Sequence, residues 1–189
     1  MPKVALLLAD GFEEGEALTV ADILRRAGIE ADLVSIGGEN VRVGHDIVVV
    51  ADTLLPPSLL GYDMVVLPGG LPGAANLRDD GRVISAVREM YDHGRWVTSI
   101  CAAAMVLGSA GVLDGHEWTS YPGYDTQIET TGAFSERLVV RDGTVITSRG
   151  PASAYAFGYA LVDALGGDSA TVKSRMVYAN AFDEIEGSN

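Results

Sequence analysis

The segment RWVTSICAAAMVLGSAG, residues 95–111, contains Cys101, the only cysteine in the chain. The apolar run before it is typical of a buried strand, and the alanine-rich run after it is typical of a helix. A thiol at that junction lies at a helix N-terminus, where the helix dipole and free N–H groups stabilise a thiolate and lower its pKa. The pattern predicts a nucleophile at a strand-to-helix turn, with an inert buried cysteine as the alternative.

Two other stretches are expected beside the cysteine, because the carboxyl ends of parallel strands meet at one edge of a sheet. The glycine-rich stretch LPGGLPGAANL, residues 67–77, follows a buried strand and leaves backbone amides free to bind an anion. It carries neither a dinucleotide-binding nor a triphosphate-binding motif, so no such cofactor is predicted. The acidic stretch DGFEEGEA, residues 10–17, follows the first strand and begins a helix.

Glu16 is the acid in that stretch with a candidate chemical role. The helix dipole favours acids in a first turn and by itself explains most of Glu13, Glu14 and Glu16, and helical periodicity alone does not separate Glu16 cleanly from Glu13. Glu16 lines up with Val20 and Ile23 on the edge of the apolar face. Partial burial there raises the pKa of a carboxyl group towards the range of a general acid or base.

The three histidines, His45, His93 and His116, lie in a hairpin turn, before a strand and after a loop. None falls at the predicted strand edge, so a Cys-His-Asp triad is not supported and all three are expected at the surface. No histidine and acid cluster has metal-ligand spacing, and no metal is predicted.

Strands and helices alternate along the chain, which predicts an α/β sandwich with a mainly parallel sheet. Turn sequences around residues 44–46 and 142–143 predict two β-hairpins. One domain is expected over residues 1–182, followed by an acidic tail at 183–189. The predicted strands are 3–9, 29–36, 62–70 and 95–100, and the predicted helices are 14–28, 80–93, 102–110 and 150–167.

The 189 residues carry a formal net charge of -13, which disfavours general binding to nucleic acid or to an anionic membrane. A single cysteine excludes an intrachain disulfide framework. The N-terminal apolar run is too short for a secretion signal, and no stretch reaches the roughly 18 apolar residues of a membrane helix. A cytoplasmic protein is expected.

Taken together, these stretches resemble the ThiJ/PfpI family, in the branch of the parkinsonism-linked deglycase and its bacterial relatives. The resemblance implies a flavodoxin-like α/β sandwich, a homodimer and a cofactor-independent activity. It implies that Cys101 is the nucleophile, that Glu16 hydrogen bonds to its sulfur, and that the amides of Gly70 and Ala102 form an oxyanion pocket. The matching segments are DGFEEGEA, DILRRAGI, YDMVVLPGGLPGAANL, SICAA and TSRGPASAYAF.

The chain departs from the family pattern at three places. Animal members have Gly-Pro after Cys-Ala, where this chain has Ala103 and Ala104. They have a histidine where this chain has Tyr121, which could donate a hydrogen bond to a substrate oxygen or simply fill a strand end. The protease-like branch has a histidine after its cysteine, and Ala102 excludes that arrangement.

The sequence therefore predicts an enzyme acting on a small aldehyde. In this hypothesis Cys101 adds to an α-oxoaldehyde and Glu16 moves the proton, converting methylglyoxal to lactate, with deglycase activity as a related reaction. The alternative is a redox-sensing or chaperone-type stress protein that acts through oxidation of Cys101. Both hypotheses need an accessible, activated thiol.

Overall fold

A seven-stranded sheet forms the centre of the computed structural model, which describes residues 1–180. The strands are β1 Lys3–Leu8, β2 Glu30–Ser35, β3 Asn40–Arg42, β4 Val48–Val50, β5 Thr53–Leu54, β6 Met64–Leu67, β7 Trp96–Ile100, β8 Glu117–Trp118, β9 Ala133–Phe134, β10 Val139–Asp142 and β11 Val145–Ser148. The α-helices are α1 Glu14–Arg26, α2 Gly73–Asp79, α3 Gly81–Asp92, α4 Ala104–Ser109, α5 Ala154–Ala164 and α6 Ser169–Arg175. Short 3-10 turns are formed by Cys101–Ala103, Pro151–Ser153 and Tyr178–Asn180.

The strand order in the main sheet is β10-β11-β7-β6-β1-β2-β5. All neighbouring pairs are parallel except β10 with β11, which form an antiparallel hairpin. Helices α1 and α5 pack against each other, while α2 contacts both α3 and α4. Helices cover the central strands, so β1 and β6 are almost continuously apolar and buried. The predicted α/β class with a mainly parallel sheet is confirmed.

The carboxyl ends of β1, β6 and β7 lie side by side because these strands are neighbours in register. The loops that follow them carry the acidic stretch, the glycine-rich stretch and the cysteine. The small hairpin predicted around residues 44–46 is also present, with β3 and β4 antiparallel.

Several short elements were missed by the sequence analysis. Helix α2 begins within the glycine-rich stretch. Its pattern was not recognised because glycine and proline are poor helix formers. Gly73 is the first residue of α2 and packs against the loop that precedes α1. A Cβ at this glycine would lie 2.4 Å from the amide nitrogen of Phe12. Strands β5 and β9 have two residues each, too few for an alternating pattern to show.

His116 corrects the expectation that all three histidines are at the surface. Its side chain is 18% exposed, and its Nε2 lies 2.9 Å from the hydroxyl oxygen of Tyr91. Its Nδ1 lies 3.3 Å from a carboxylate oxygen of Asp142. The hairpin that carries Asp142 folds onto β8, which brings together groups distant in sequence.

Within residues 1–180, no helix is long and apolar enough to cross a membrane. The predicted acidic tail at 183–189 and the end of the predicted domain lie outside the described residues.

Candidate active site

Cys101 lies directly after β7, where the chain turns into a helix. Its φ angle is +61°, in the left-handed region that residues other than glycine rarely adopt. The strand before it and the 3-10 turn Cys101–Ala103 hold this conformation, and helix α4 follows at once. Strained backbone of this kind concentrates at functional sites, where surrounding structure compensates for its cost. The geometry is that of the predicted nucleophile turn.

Glu16, in the first turn of α1, is completely buried beside this cysteine. Its Oε2 accepts a hydrogen bond of 2.7 Å from the backbone N–H of Gly69. Its Oε1 is buried and has no hydrogen-bond partner. A buried carboxyl oxygen without a hydrogen-bond partner is costly.

Gly69 and Gly70 make this close approach possible. A Cβ on Gly69 would lie 2.6 Å from Cβ of Cys101 and 2.8 Å from Oε2 of Glu16. Gly70 has a φ of +83°, and a Cβ there would lie 2.4 Å from the amide nitrogen of Glu13. The backbone of Gly69 and Gly70 lies between Glu16 and Cys101 and sets the distance between the carboxyl group and the thiol.

The pKa of Glu16 is raised to about 7. Burial is the largest cause, and the nearby charge of Glu13 adds to it. Hydrogen bonds from the Gly69 amide and the Cys101 thiol act in the opposite direction and lower the pKa. Because the carboxyl group titrates near neutral pH, it can both accept and return a proton under physiological conditions.

The pKa of Cys101 is raised to about 12, which corrects the predicted effect of the helix dipole. Burial is the first cause and the charge of Glu16 the second, whereas the amides of Ala102 and Gly70 donate hydrogen bonds that lower the pKa. Helix α4 has only six residues, so its dipole does not overcome burial beside an acid. When Glu16 takes up a proton, the charge that opposes the thiolate disappears.

Tyr121 contacts Cys101 through the backbone. Its backbone N–H donates a hydrogen bond of 3.3 Å to the carbonyl oxygen of Cys101, and its ring packs on Gly150. Its side chain is 48% exposed. Of the five site residues named from the sequence, the structure places Glu16 and the backbones of Gly70 and Ala102 beside the Cys101 thiol, whereas Tyr121 meets Cys101 through its backbone and its role in the site stays a prediction.

Tyr124 was missed because it lies in an irregular loop whose path no periodicity predicts. The pKa of Tyr124 is raised by burial first and then by the charge of Cys101, while Arg78 lowers it. The ring therefore lies within electrostatic range of the thiol. The only feature of the sequence that could have pointed to Tyr124 is its position three residues after Tyr121.

Three possible ligand groups that the sequence spacing does not connect lie close together. Ligand atoms of Glu13, Glu14 and His45 lie within 4.8 Å of one another, a group that could hold a metal ion. His45 Nδ1 is 2.7 Å from Oε1 of Glu14, across the contact between α1 and the β3–β4 hairpin. The histidine comes from another element, so sequence spacing could not reveal the group.

A cysteine with strained backbone between a parallel strand and a helix, beside a buried carboxyl group, defines an α/β protein with a cysteine in a nucleophile-elbow position. The profile of the DJ-1/PfpI family matches residues 2–164 of the chain. The chain belongs to that family, and the resemblance inferred from its motifs is confirmed.

Relatives match nearly the whole chain. It is 39% identical to the DJ-1β protein of Drosophila melanogaster over 171 residues, which are 88% of this chain and 91% of that protein. It is 34% identical to a deglycase of Pyrococcus horikoshii, covering 82% and 94% of the two chains. The structure of oxidised DJ-1 from Toxoplasma gondii superposes with a TM-score of 0.87 at 30% identity, covering 95% and 100%.

Proposed function

We propose that this protein is a cofactor-independent, cysteine-dependent enzyme that converts small α-oxoaldehydes to 2-hydroxy acids, with methylglyoxal giving lactate. The observation that carries the proposal is the pairing of Cys101 with Glu16, whose pKa of about 7 suits proton transfer at neutral pH. An isomerisation between two adjacent carbons requires one nucleophile and one group that moves a proton, and these two residues supply both.

In the first step, the sulfur of Cys101 gives up its proton and bonds to the aldehyde carbon, and the aldehyde oxygen takes up that proton, giving a hemithioacetal. The amides of Gly70 and Ala102 already donate to the sulfur, so they stabilise negative charge at this position. The substrate oxygen accepts from the same donors as charge moves from sulfur to oxygen.

In the second step, Glu16 removes the proton from the former aldehyde carbon and returns it to the neighbouring ketone carbon, while the hydroxyl proton on the former aldehyde oxygen passes to the ketone oxygen. The free Oε1 is the atom suited to this transfer, because Oε2 is held by Gly69. The product is a thioester of the 2-hydroxy acid. Water then attacks the thioester carbon, the C–S bond breaks, and the thiol regains its proton. The sum of the steps is addition of one water molecule to the oxoaldehyde.

The test is lactate formation from methylglyoxal, without glutathione, by the wild-type protein and by Cys101→Ala. We expect turnover in the first and none in the second. Equal rates in the two proteins, or no rate in either, would contradict the proposal.

The Pyrococcus horikoshii relative is a deglycase. A deglycase reaction of this chain would use the same thioester chemistry on an oxoaldehyde adduct, and release of lactate from a methylglyoxal-modified cysteine would test it.

A redox-sensing or chaperone-type stress function is the second candidate. It is supported by the oxidised state of the Toxoplasma gondii relative and by the amide donors, which could equally hold a sulfinate oxygen. The raised pKa of the thiol does not separate this candidate from the enzyme, since oxidation by peroxide and addition to an aldehyde both need the thiolate. Mass spectrometry of Cys101 after graded peroxide treatment would test it, and oxidation no faster than that of free cysteine would exclude a sensor.

We also propose that the protein is a homodimer that associates through the β3–β4 hairpin and α1. The hairpin exposes Ile47, Val48 and Val50, which are between 49% and 65% exposed, and α1 exposes Leu18. The Glu14–His45 contact joins the two elements, so the four apolar side chains belong to neighbouring surfaces. Exposed aliphatic groups of this size favour burial against a second copy.

Location in the cytoplasm stays a prediction from the sequence.

A further inference from the structure

Glu13, Glu14 and His45 bring three metal-binding atoms together outside the pair formed by Cys101 and Glu16. One ligand atom from each of the three residues lies within 4.8 Å of the other two. His45 Nδ1 is 2.7 Å from Oε1 of Glu14, although the two residues are 31 positions apart in the chain. Carboxylate oxygens with an imidazole nitrogen form a mixed donor set, which suits divalent transition-metal ions such as Zn²⁺.

Backbone hydrogen bonds fix the two elements that carry these ligands relative to each other. The carboxylates come from the start of α1, and the imidazole comes from the β3–β4 hairpin. The N–H of Gly11, before α1, donates to the carbonyl oxygen of Arg42 at 2.7 Å, and the N–H of Gly44 donates to that of Phe12 at 2.9 Å. The ligand groups are therefore brought together before an ion arrives, which lowers the entropic cost of binding.

No fixed cation balances the two carboxylate charges of this group. Within residues 1–180, neither Glu13 nor Glu14 forms an ion pair with a lysine or an arginine, and the Glu13 carboxylate makes no hydrogen bond. Oε2 of Glu14 is buried and has no hydrogen-bond partner, an arrangement that is costly for a carboxylate. The side chain of His45 is 69% exposed, which leaves an ion a path from solvent. A bound cation would compensate both charges.

We propose that Glu13, Glu14 and His45 form a binding site for a divalent transition-metal ion such as Zn²⁺. The site goes beyond the proposed reaction, because it uses neither Cys101 nor Glu16. The three side chains supply three ligands, and water completes a four-coordinate zinc. The ion joins α1 to the β3–β4 hairpin. Because only the folded chain presents the three ligands together, binding stabilises the fold.

The experiment is calorimetric titration of the untagged protein with Zn²⁺, in wild type and in Cys101→Ala, where the thiol cannot bind the ion. We expect one zinc per chain at this site in both proteins. In the Cys101→Ala background, His45→Ala, Glu13→Gln and Glu14→Gln should each weaken binding by at least about tenfold, since even a group that only orients a metal ligand contributes that much. Zn²⁺ should also raise the Tm of Cys101→Ala, and the His45→Ala change should abolish this rise.

Two matched substitutions control for the loss of a surface charge or imidazole. His93→Ala and Glu39→Gln remove an exposed histidine and an exposed acid outside the group, and neither should change the affinity. Mg²⁺ is the control ion. It prefers octahedral oxygen ligands and keeps several waters, so it should bind at least about tenfold more weakly than Zn²⁺.

Four results would overturn the site. They are no zinc binding by Cys101→Ala, zinc binding that His45→Ala leaves unchanged, equal losses in His45→Ala and His93→Ala, and Mg²⁺ bound as tightly as Zn²⁺. Binding by wild type that disappears in Cys101→Ala would assign the ion to the thiol. His45 is exposed on a hairpin turn, so its replacement by alanine should leave the fold intact, and circular dichroism of the variant checks this.

Discussion

Glu16 and Cys101 meet across the backbone of Gly69, whose amide holds one oxygen of the carboxyl group at 2.7 Å while a Cβ at the same glycine would lie 2.6 Å from Cβ of the cysteine. The acid and the thiol are electrostatically coupled. Each is raised in pKa, mainly by burial, and the carboxylate charge opposes formation of the thiolate.

Replacing Glu16 by glutamine should lower turnover of methylglyoxal by at least about 10²-fold, the contribution typical of a positioned proton transfer. Glutamine keeps the size of the side chain and can still accept from the Gly69 amide, so the fold should persist. Glu39→Gln removes an exposed acid elsewhere and serves as the control. Near-native turnover of Glu16→Gln would remove this residue from the mechanism.

Stability should depend on pH through the same carboxyl group. The folded-state pKa of Glu16 is about 7 against an ordinary value of 4.5, so the folded state binds the proton more tightly. As pH rises through 4.5 the unfolded chain ionises first, and stability falls until the folded carboxyl ionises near 7. The full penalty, about 3 kcal/mol, applies above pH 7.

Urea unfolding of wild type and Glu16→Gln at pH 5, 6 and 8 measures this penalty. The variant, which has no carboxylate to bury, should gain stability relative to wild type as pH rises, with no further gain above pH 8. A constant difference between the two proteins over this range would show that Glu16 has an ordinary pKa.

The reactivity of Cys101 should increase when Glu16 is neutralised. The carboxylate charge and its hydrogen bond with the thiol both raise the pKa of Cys101, and glutamine removes the charge. Alkylation by iodoacetamide at pH 8 should therefore be faster in Glu16→Gln than in wild type or Glu39→Gln. The same variant would then lose turnover while gaining thiol reactivity. Slower alkylation would mean that the carboxyl group assists thiolate formation.

Gly69→Ala should separate the catalytic pair. The new methyl group would collide with Cys101 and Glu16, and displacement by about 1 Å costs about 10²-fold in rate. Gly61→Ala is a matched control, because a Cβ there meets nothing within 4 Å. We expect Gly61→Ala to keep wild-type turnover. Equal activities of the two alanine variants would show that the site tolerates a wider spacing.

Val50→Asp should dissociate the proposed dimer. Val50 is 65% exposed on the hairpin, and a charge buried in an interface without a partner is strongly unfavourable. Sedimentation velocity should show a dimer for wild type and a monomer for the variant. Val177→Asp, an equally exposed valine near the end of the described residues, is the control and should stay dimeric. A monomeric wild-type protein would overturn the proposed association.

The sequence by itself determined the fold class and pointed to Cys101 as the candidate nucleophile. Continuous apolar runs such as β1 and β6 are readable because strands covered on both faces need no alternation. Cys101 was identifiable because a single thiol stands between a strand pattern and a helix pattern. The position of Glu16 at the edge of the apolar face of α1 was visible because helical periodicity is local, but periodicity alone did not separate Glu16 from Glu13.

Only the tertiary structure decided how these groups act on one another. The strand order puts β1, β6 and β7 side by side, and that order fixes the meeting of Glu16, Gly69 and Cys101. The direction in which the pKa of Cys101 is shifted also depends on the tertiary structure. The dipole argument uses only the local helix, whereas burial and the Glu16 charge come from neighbouring elements. Contacts such as His116 with Tyr91 and His45 with Glu14 join separate elements, and for that reason no local pattern could predict them.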